Sequence, residues 1–312
     1  MGSRLSVRTL ALLALLGGVV VLGFAAIFVT WAEAPGPVTA LYRMLIGAGL
    51  ITPFFLSTKG TSIRQLPRRG VIMAVVAGSV FGCDMAIWMT AVGISGPTMP
   101  TLMANTAPLW VGLGSLLIFR ERQSLGFWIG LLLALSGVML VFGHNARAGA
   151  GLGVGMAMGL VAALFYASFY LATQEGRRYL DTISYLWLST LSAAASLLII
   201  NAILRQPITG YSTVTYLNFL ALGAVVQFLG WLLINYAQGY LRASVVAPVL
   251  LGQPVLTALL AIPLLGEKLT PWHVTGGAAV LVGVYVVIWS RNRMLRAGLQ
   301  GGPVTWYNKG EQ

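Results

Sequence analysis

Long apolar stretches separated by short polar segments make up most of this chain. Each stretch is close to the roughly 20 residues that an α-helix needs to cross the hydrocarbon core of a bilayer. An isolated strand would leave its backbone groups unpaired in lipid, so each stretch is predicted to be a helix. The pattern predicts an all-α polytopic membrane protein with ten transmembrane helices. These spans, numbered one to ten, run over about 8–30, 37–57, 70–93, 98–119, 125–143, 151–173, 182–203, 214–238, 244–265 and 271–290.

The second half of the chain repeats the first at an offset of 146 residues, so that 74–143 aligns with 220–289 without a gap. Five spans in each half would force the second copy into the membrane upside down, and inverted repeats are typical of carriers. We therefore predict two inverted five-helix repeats, 1–146 and 147–292, followed by a cytoplasmic tail, 293–312. The matched pairs include Pro108 with Pro254, Glu121 with Glu267, Gly130 with Gly276, and Gly137 with Gly283.

Composition agrees with the apolar pattern. Hydrophobic residues make up 58% of the chain and charged residues 8%, with a mean hydropathy of +0.86, whereas soluble domains average roughly 25% charged residues. The single cysteine, Cys83, and two distant histidines offer no disulfide or metal cluster. Because nucleotide and metal motifs are also missing, no cofactor and no metal site are predicted. The apolar run at 9–29 lacks an evident cleavage site, so we interpret it as a retained span.

The distribution of basic residues predicts the orientation. Of the 19 lysines and arginines, 15 fall on one side of the ten-span topology, three on the other (Arg147, Arg205 and Lys268), and Arg43 lies within span two. Basic loops stay in the cytoplasm, so both termini are predicted to be cytoplasmic and the protein to reside in the cell inner (cytoplasmic) membrane. The same bias accounts for the net charge of +12, which is expected to meet anionic lipid headgroups rather than nucleic acid.

Several short motifs carry a family resemblance. They are Ala40-Leu-Tyr-Arg43-Met, Asp84-Met-Ala-Ile-Trp88, Thr101-Leu-Met-Ala-Asn105-Thr-Ala-Pro108-Leu and Phe119-Arg-Glu121-Arg, with Pro254 and Leu265-Gly-Glu267-Lys-Leu-Thr in the second copy. In these residues the chain resembles the drug/metabolite transporter superfamily, specifically the ten-span EamA-type permeases, over 8–290. Arg120 stands where the second copy has a glycine before its glutamate. The resemblance implies a transporter rather than an enzyme, and it leaves the substrate open among amino acids, metabolites, nucleotide-like compounds and drugs.

Asp84 is the strongest candidate site residue, because a carboxylate in the middle of a span is costly and usually faces a cavity or a partner. It could carry protons during transport, act as counter-ion for an amine, or be a structural hydrogen-bond partner. Trp88 follows at i+4 on the same helix face and could hold a cation against its ring. A lipid-facing position for Trp88 is the alternative.

Arg43 lies inside span two near the predicted outer leaflet. It could bind a substrate carboxylate with its two-pronged guanidinium, pair with Glu33, or extend to the outer interface. Together, Asp84 and Arg43 would suit a zwitterion.

Polar residues and prolines also mark spans four, eight and nine. Gln227, Trp231 and Asn235 share one face of span eight, and Asn105 and Gln253 lie beside prolines in spans four and nine. Such side chains either line a cavity or join helices by hydrogen bonds. Pro108 and Pro254 are the predicted hinges, since proline frees a backbone carbonyl and paired broken helices are typical of transporter binding sites. Spans three, four, eight and nine are expected to line the cavity. Glu121 and Glu267 are interpreted as structural, either as helix caps or in interfacial pairs with their basic neighbours.

The predicted function is secondary transport of small organic solutes across the membrane by alternating access. Export of amino acids or related metabolites is favoured, with proton coupling through Asp84. Export of amphipathic or cationic drugs and uncoupled facilitation remain open, and a membrane-embedded enzyme would need a catalytic cluster that the sequence lacks. The expected partners are a small-molecule substrate and the lipid bilayer, as a monomer or homodimer.

Overall fold

In the computed structural model, described here for residues 7–59, 65–95, 98–143, 152–265 and 271–296, the chain is helical throughout and has no β-strand. The predicted tail beyond residue 296 and Glu267 lie outside these ranges. The elements are α1 (Val7–Gly23), α2 (Ala25–Ala32), α3 (Gly36–Lys59), α4 (Arg68–Ser95), α5 (Thr98–Ala104), α6 (Ala107–Phe119), α7 (Leu125–Gly143), α8 (Leu152–Gly176), α9 (Thr182–Ile203), α10 (Thr213–Ala221), a π-helical segment (Leu222–Gly230), α11 (Trp231–Gln238), α12 (Ala243–Val249), α13 (Gly252–Leu265) and α14 (Pro271–Arg296).

Eight helical stretches within the described ranges are long and apolar enough to cross a membrane. Shorter apolar helices, Leu125–Val141 and Ala243–Thr257, occupy the positions of predicted spans five and nine. Large apolar side chains such as Leu117 and Leu125 point away from the helix bundle, with 78% and 75% exposure. An all-helical, multi-pass membrane protein is therefore confirmed, and the count of ten spans stays a prediction.

A side-chain cap and two prolines explain where α9, α6 and α13 begin. Asp181 accepts a hydrogen bond from the Ser184 amide at 2.9 Å and caps α9. Span four is interrupted between α5 and α6, with Pro108 in the first turn of α6. Span nine is interrupted between α12 and α13, with Pro254 in the first turn of α13. Proline is tolerated in a first turn because the missing N–H has no partner there.

Glycines bring α7 and α14 into direct backbone contact. Gly130 faces the carbonyl of Gly283, and Gly137 faces the carbonyl of Gly276, so that a Cβ at either position would collide with the neighbouring backbone. Close approach at small residues replaces the hydrophobic effect as the main source of helix association in lipid. Since the residue numbers run in opposite directions at the two contacts, α7 and α14 are antiparallel.

The remaining helices surround a core in which α4 packs against both α8 and α9. On the other side, α3 packs against α9 and the π-helical segment, and α1 packs against α11. The largest side chains buried at the centre include Tyr170, Tyr185 and Trp231. This arrangement places the middle of α4, which carries Asp84, against the rings of α8.

Candidate functional site

Asp84 and Arg43 lie at similar depth inside the helix bundle. At 1.5 Å per residue, Arg43 is about 10 Å from the start of α3 at Gly36, and Asp84 is about 12 Å from Val92 near the end of α4. Both are buried, with exposures of 7% for Asp84 and 6% for Arg43, and their charges interact electrostatically. Burial of Arg43 argues against a side chain that extends to the outer interface.

Arg43 is held by hydrogen bonds that cross between helices from the two halves of the chain. Its Nε donates to Gln227 Oε1 at 3.2 Å, and Gln227 Nε2 donates to Thr190 Oγ1 at 3.3 Å. The Asp84 carboxylate has no hydrogen bond or direct ion pair with any side chain in the described ranges. The site therefore combines a fixed cation with a carboxylate that is free to accept a donor.

Gln227 belongs to the π-helical segment, and its side chain crosses Gly47 of α3. A Cβ at Gly47 would collide with the Gln227 side chain, so the missing side chain lets the amide reach Arg43. A π-helical turn shifts the residues that follow it around the helix axis and is frequent at functional sites. Here it brings Gln227 and Trp231 toward the centre of the bundle.

Five aromatic rings form a cluster next to Asp84. Ring centroids are 4.6 Å apart for Phe81 and Phe169, 5.1 Å for Phe81 and Trp231, and 4.7 Å for Tyr166 and Tyr170. Tyr170 donates a hydrogen bond to the Tyr166 hydroxyl at 2.6 Å. The charges of Asp84 and Arg43 both act on Tyr166. Aromatic faces beside a carboxylate can hold an ammonium group by combined ion pairing and cation–π attraction.

A small cavity lies between α4, α8, α9, the π-helical segment and α11. Its volume of about 10 Å³ corresponds to room for one water molecule, so the described conformation is compact. Two buried polar atoms on its lining residues have no hydrogen-bond partner, Trp231 Nε1 and Asn235 Oδ1. The lining residues are Phe81, Phe169, Leu186, Ser189, Thr190, Gln227, Trp231 and Asn235.

These lining residues differ in part from those expected from sequence. The walls of this small cavity come from spans three, six, seven and eight, and the expectation that spans four and nine line a substrate cavity stays a prediction. Asp84, Arg43, Gln227, Trp231 and Asn235 lie in this central region. Sequence reasoning missed Phe81 and Thr190, although Phe81 lies one turn before Asp84 on the same helix face.

The other predicted site residues are bonded at helix interruptions. Trp88 Nε1 donates to Thr101 Oγ1 at 3.2 Å, which ties α4 to α5. Asn105 Nδ2 donates to the Thr101 carbonyl at 2.8 Å, next to the break in span four. Gln253 Nε2 donates to the Leu22 carbonyl at 3.2 Å, next to the break between α1 and α2. Their proposed contact with substrate stays a prediction.

Glu121 pairs with groups from several helices. Its Oε1 accepts from Gln174 Nε2 at 2.9 Å and lies 3.4 Å from Arg242 Nε, and its Oε2 accepts from Ser244 Oγ at 3.3 Å. Gln174 also accepts from the Ala243 amide at 2.6 Å. The carboxylate thus joins the loop after α6 to α8 and to the first turn of α12, where a negative charge is favoured by the helix dipole. We call this set of residues the Glu121 latch.

The central site combines charged groups with aromatic surface. Within the described ranges no group of three or more His, Cys, Asp or Glu side chains could hold a metal ion. Asp84 and Arg43 offer charges of both signs, and the five rings offer apolar and π-electron surface. Such a site can bind a small organic molecule that carries an ammonium group, a carboxylate or both.

Comparison with known proteins identifies the family. The model of the EamA-like transporter family matches residues 9–143 and 153–289. The uncharacterized transporter YwfM of Bacillus subtilis (strain 168) is 23% identical over 273 residues, covering 82% of this chain and 86% of that protein. A solved crystal structure that is 18% identical covers 91% of this chain and 99% of its own, with a TM-score of 0.79, so the two share a fold. Because the family matches extend over most of the chain, this protein belongs to the EamA-like transporter family and is a membrane transporter.

Proposed function

We propose that this protein is a secondary transporter that exports small organic solutes by alternating access, with amino acids and related metabolites as the leading substrates. The observation that carries this proposal is the placement of Asp84 and Arg43, two opposite charges buried at similar depth without a direct bond to each other. Burying unpaired charges is costly. A zwitterion would compensate both, because its ammonium group can meet Asp84 and its carboxylate can meet Arg43.

Two inverted repeats are part of the proposal, and the packing of α7 on α14 supports them. The close contacts join Gly130 to Gly283 and Gly137 to Gly276. In the repeat alignment Gly130 corresponds to Gly276 and Gly137 to Gly283. Exchanging the two halves therefore converts each contact into the other, as expected for equivalent helices related by a two-fold axis. Spans four and nine are also interrupted at corresponding places, just before Pro108 and Pro254. These two breaks are the proposed hinges.

Coupling to a proton gradient is proposed because the sequence contains no nucleotide-binding motif. Asp84 is the group we propose to carry the proton. A carboxylate without a hydrogen-bond donor in a buried site can be neutralised either by a proton or by a cationic group on the substrate, and the two would then compete. This competition would link export of the substrate to entry of a proton.

The proposal is tested by counterflow exchange in proteoliposomes loaded with individual amino acids. Wild-type protein should accelerate the uptake of the labelled form of its substrate. Arg43→Gln should lower this exchange by at least about tenfold, because a charged hydrogen bond contributes roughly 1.5–3 kcal/mol. Arg205→Gln is the matched control, since Arg205 is exposed just after the end of α9 and does not belong to the central site. Wild-type protein that exchanges no amino acid, or Arg43→Gln that exchanges them at the normal rate, would refute the proposal.

Export of cationic amphipathic compounds is the second candidate, and the aromatic cluster beside Asp84 favours it. A cation without a carboxylate needs Asp84 and the rings but does not need Arg43. Arg43→Gln should therefore leave its transport intact while abolishing that of a zwitterion. Parallel assays with an amino acid and an organic amine distinguish the two candidates.

A further inference from the structure

A cluster of arginines lies away from the central site, where the ends of several helices meet. The cluster consists of Arg8 of α1, Arg242 before α12 and Arg291 of α14. The charges of Arg8 and Arg242 both act on Arg291, and so does the carboxylate of Glu121. Ser290 contacts Ser124 through their hydroxyl groups, which fixes the end of α14 beside the loop that carries Glu121. By the predicted topology, this end faces the cytoplasm.

The positive charge in this cluster exceeds the negative charge. Glu121 is already engaged by Arg242, Gln174 and Ser244. Arg8 Nη2 donates to the neutral amide of Asn292 at 2.6 Å. Neither Arg8 nor Arg291 forms an ion pair with a carboxylate among the residues whose structure is described.

Arg291 is the most unusual member of the cluster. Its exposure is 5%, and its buried Nη1 has no hydrogen-bond partner. A buried guanidinium that forms no direct ion pair is disfavoured, and buried polar groups are otherwise nearly always bonded. Arg293, two residues further along, instead lies over the Trp289 ring on the exposed surface.

We propose that Arg8 and Arg291, beside Arg242, bind a phosphate-type anion, supplied by an anionic phospholipid headgroup or by free phosphate. The planar guanidinium group matches phosphate oxygens in pairs. Anionic lipids are concentrated in the cytoplasmic leaflet, and basic pockets between helices on that side bind their headgroups. The site is separate from the central cavity and does not depend on the substrate that the cavity transports.

The experiment measures the thermal unfolding midpoint of delipidated, purified full-length protein. Separate samples receive phosphatidylglycerol, phosphatidylcholine or inorganic phosphate. Phosphatidylglycerol should raise the midpoint of the wild-type protein by several degrees more than phosphatidylcholine, because a ligand that binds only the folded state stabilises it. Arg291→Gln and Arg8→Gln should lose most of this difference. Arg293→Gln is the matched control and should keep it.

The samples also distinguish the source of the anion. If inorganic phosphate raises the unfolding midpoint as much as phosphatidylglycerol does, the site binds a small soluble anion. If only phosphatidylglycerol raises it, the site binds lipid. If Arg291→Gln folds poorly, Arg291→Lys keeps the charge but not the planar fork, and should show a reduced gain. Equal gains in wild type, Arg291→Gln and Arg8→Gln, or no gain with either anion in wild type, would overturn the proposal.

Discussion

Asp84 and Arg43 show how single residues define the central site. Arg43 donates to Gln227 rather than to Asp84, and Gln227 is in turn fixed by Thr190. The cation is thus held in place by neutral amide and hydroxyl groups and not by a direct ion pair. Asp84 keeps its acceptor capacity because no described side chain donates to it. Two charges held apart in this way provide a binding site for a ligand that bridges them.

Asp84→Asn tests whether this carboxylate carries protons. The substitution keeps the size and hydrogen-bonding capacity of the side chain but removes its ability to ionise. Transport driven by a pH gradient into proteoliposomes should fall to the background. Exchange of a zwitterion at equal pH should persist at a reduced rate, because it needs no proton release and Arg43 still meets the carboxylate of the substrate.

Glu33→Gln provides the control for Asp84→Asn, because Glu33 is an exposed carboxylate at the end of α2. It should transport at the wild-type rate. Near-normal pH-driven transport by Asp84→Asn would remove Asp84 from the coupling mechanism and favour a facilitator.

At the scale of helices, the breaks and the glycine contacts have separate effects. Spans four and nine are interrupted just before Pro108 and Pro254, and beside the first break the Asn105 side chain donates to the Thr101 carbonyl. The glycines of α7 and α14 instead lock two helices together. We therefore expect spans four and nine to bend, and α7 and α14 to stay at a fixed distance from each other.

The Glu121 latch should control how readily the first turn of α12 opens. Glu121→Gln replaces charged hydrogen bonds by weaker neutral ones, a loss of about 1.5 kcal/mol or more. Hydrogen–deuterium exchange over residues 243–249 should therefore become roughly tenfold faster. Glu175→Gln is the matched control, because Glu175 pairs with Arg69 and Arg178 instead of α12. Unchanged exchange in Glu121→Gln would show that the latch does not hold α12.

Gly137→Ala should destabilise the protein by about 1–3 kcal/mol, the usual cost of overpacking. Its new methyl group would collide with the backbone of α14 at Gly276 and Val280. Gly49→Ala is the control, since nothing lies within 4 Å of a Cβ at that position, and alanine favours the helix. Thermal unfolding in detergent should show a lower midpoint for Gly137→Ala and an equal or higher one for Gly49→Ala. Equal midpoints for both variants would contradict tight packing of α7 on α14.

At the scale of the whole molecule, two polar regions are separated along the helices. The central site lies among α3, α4, α8, α9 and the π-helical segment. The Glu121 latch and the arginine cluster lie where α1 and α12 begin and α6 and α14 end. The central cavity is small and the residues of the latch are bonded to one another, and the basic residues predict that the latch lies at the cytoplasmic side.

The predicted orientation is tested by labelling introduced cysteines in a Cys83→Ala background. Thr213→Cys should react with a membrane-impermeant maleimide added to intact cells, because it lies on the predicted outer side. Gln65→Cys should react only after the cells are opened. Both positions are exposed, so accessibility within the protein is matched. Labelling of Gln65→Cys in intact cells would reverse the topology.

The sequence by itself determined the features that depend on local composition. Span positions follow from the length of apolar runs. Predicted span seven agrees well with a helix of the structure, and predicted span nine agrees less well. The range 182–203 matches α9, whereas 244–265 is divided between α12 and α13. Pro108 and Pro254 marked the breaks because proline lacks the backbone donor that a continuous helix needs. The central charges were also evident, because a charged residue within an apolar run is conspicuous.

Only the tertiary structure decided which helix faces meet. In a membrane helix both the lipid-facing and the protein-facing sides are apolar, so the sequence carries little information about which side is buried. Trp88 and Trp231 looked equivalent in the sequence, yet Trp88 bonds to Thr101 at a helix break and Trp231 joins the central aromatic cluster. The π-helical segment also rotates the residues that follow it around the helix axis, and no residue pattern in the sequence predicted this. Contacts between residues far apart in the sequence, such as Arg43 with Gln227 and Glu121 with Arg242, were therefore visible only once the helices were packed together.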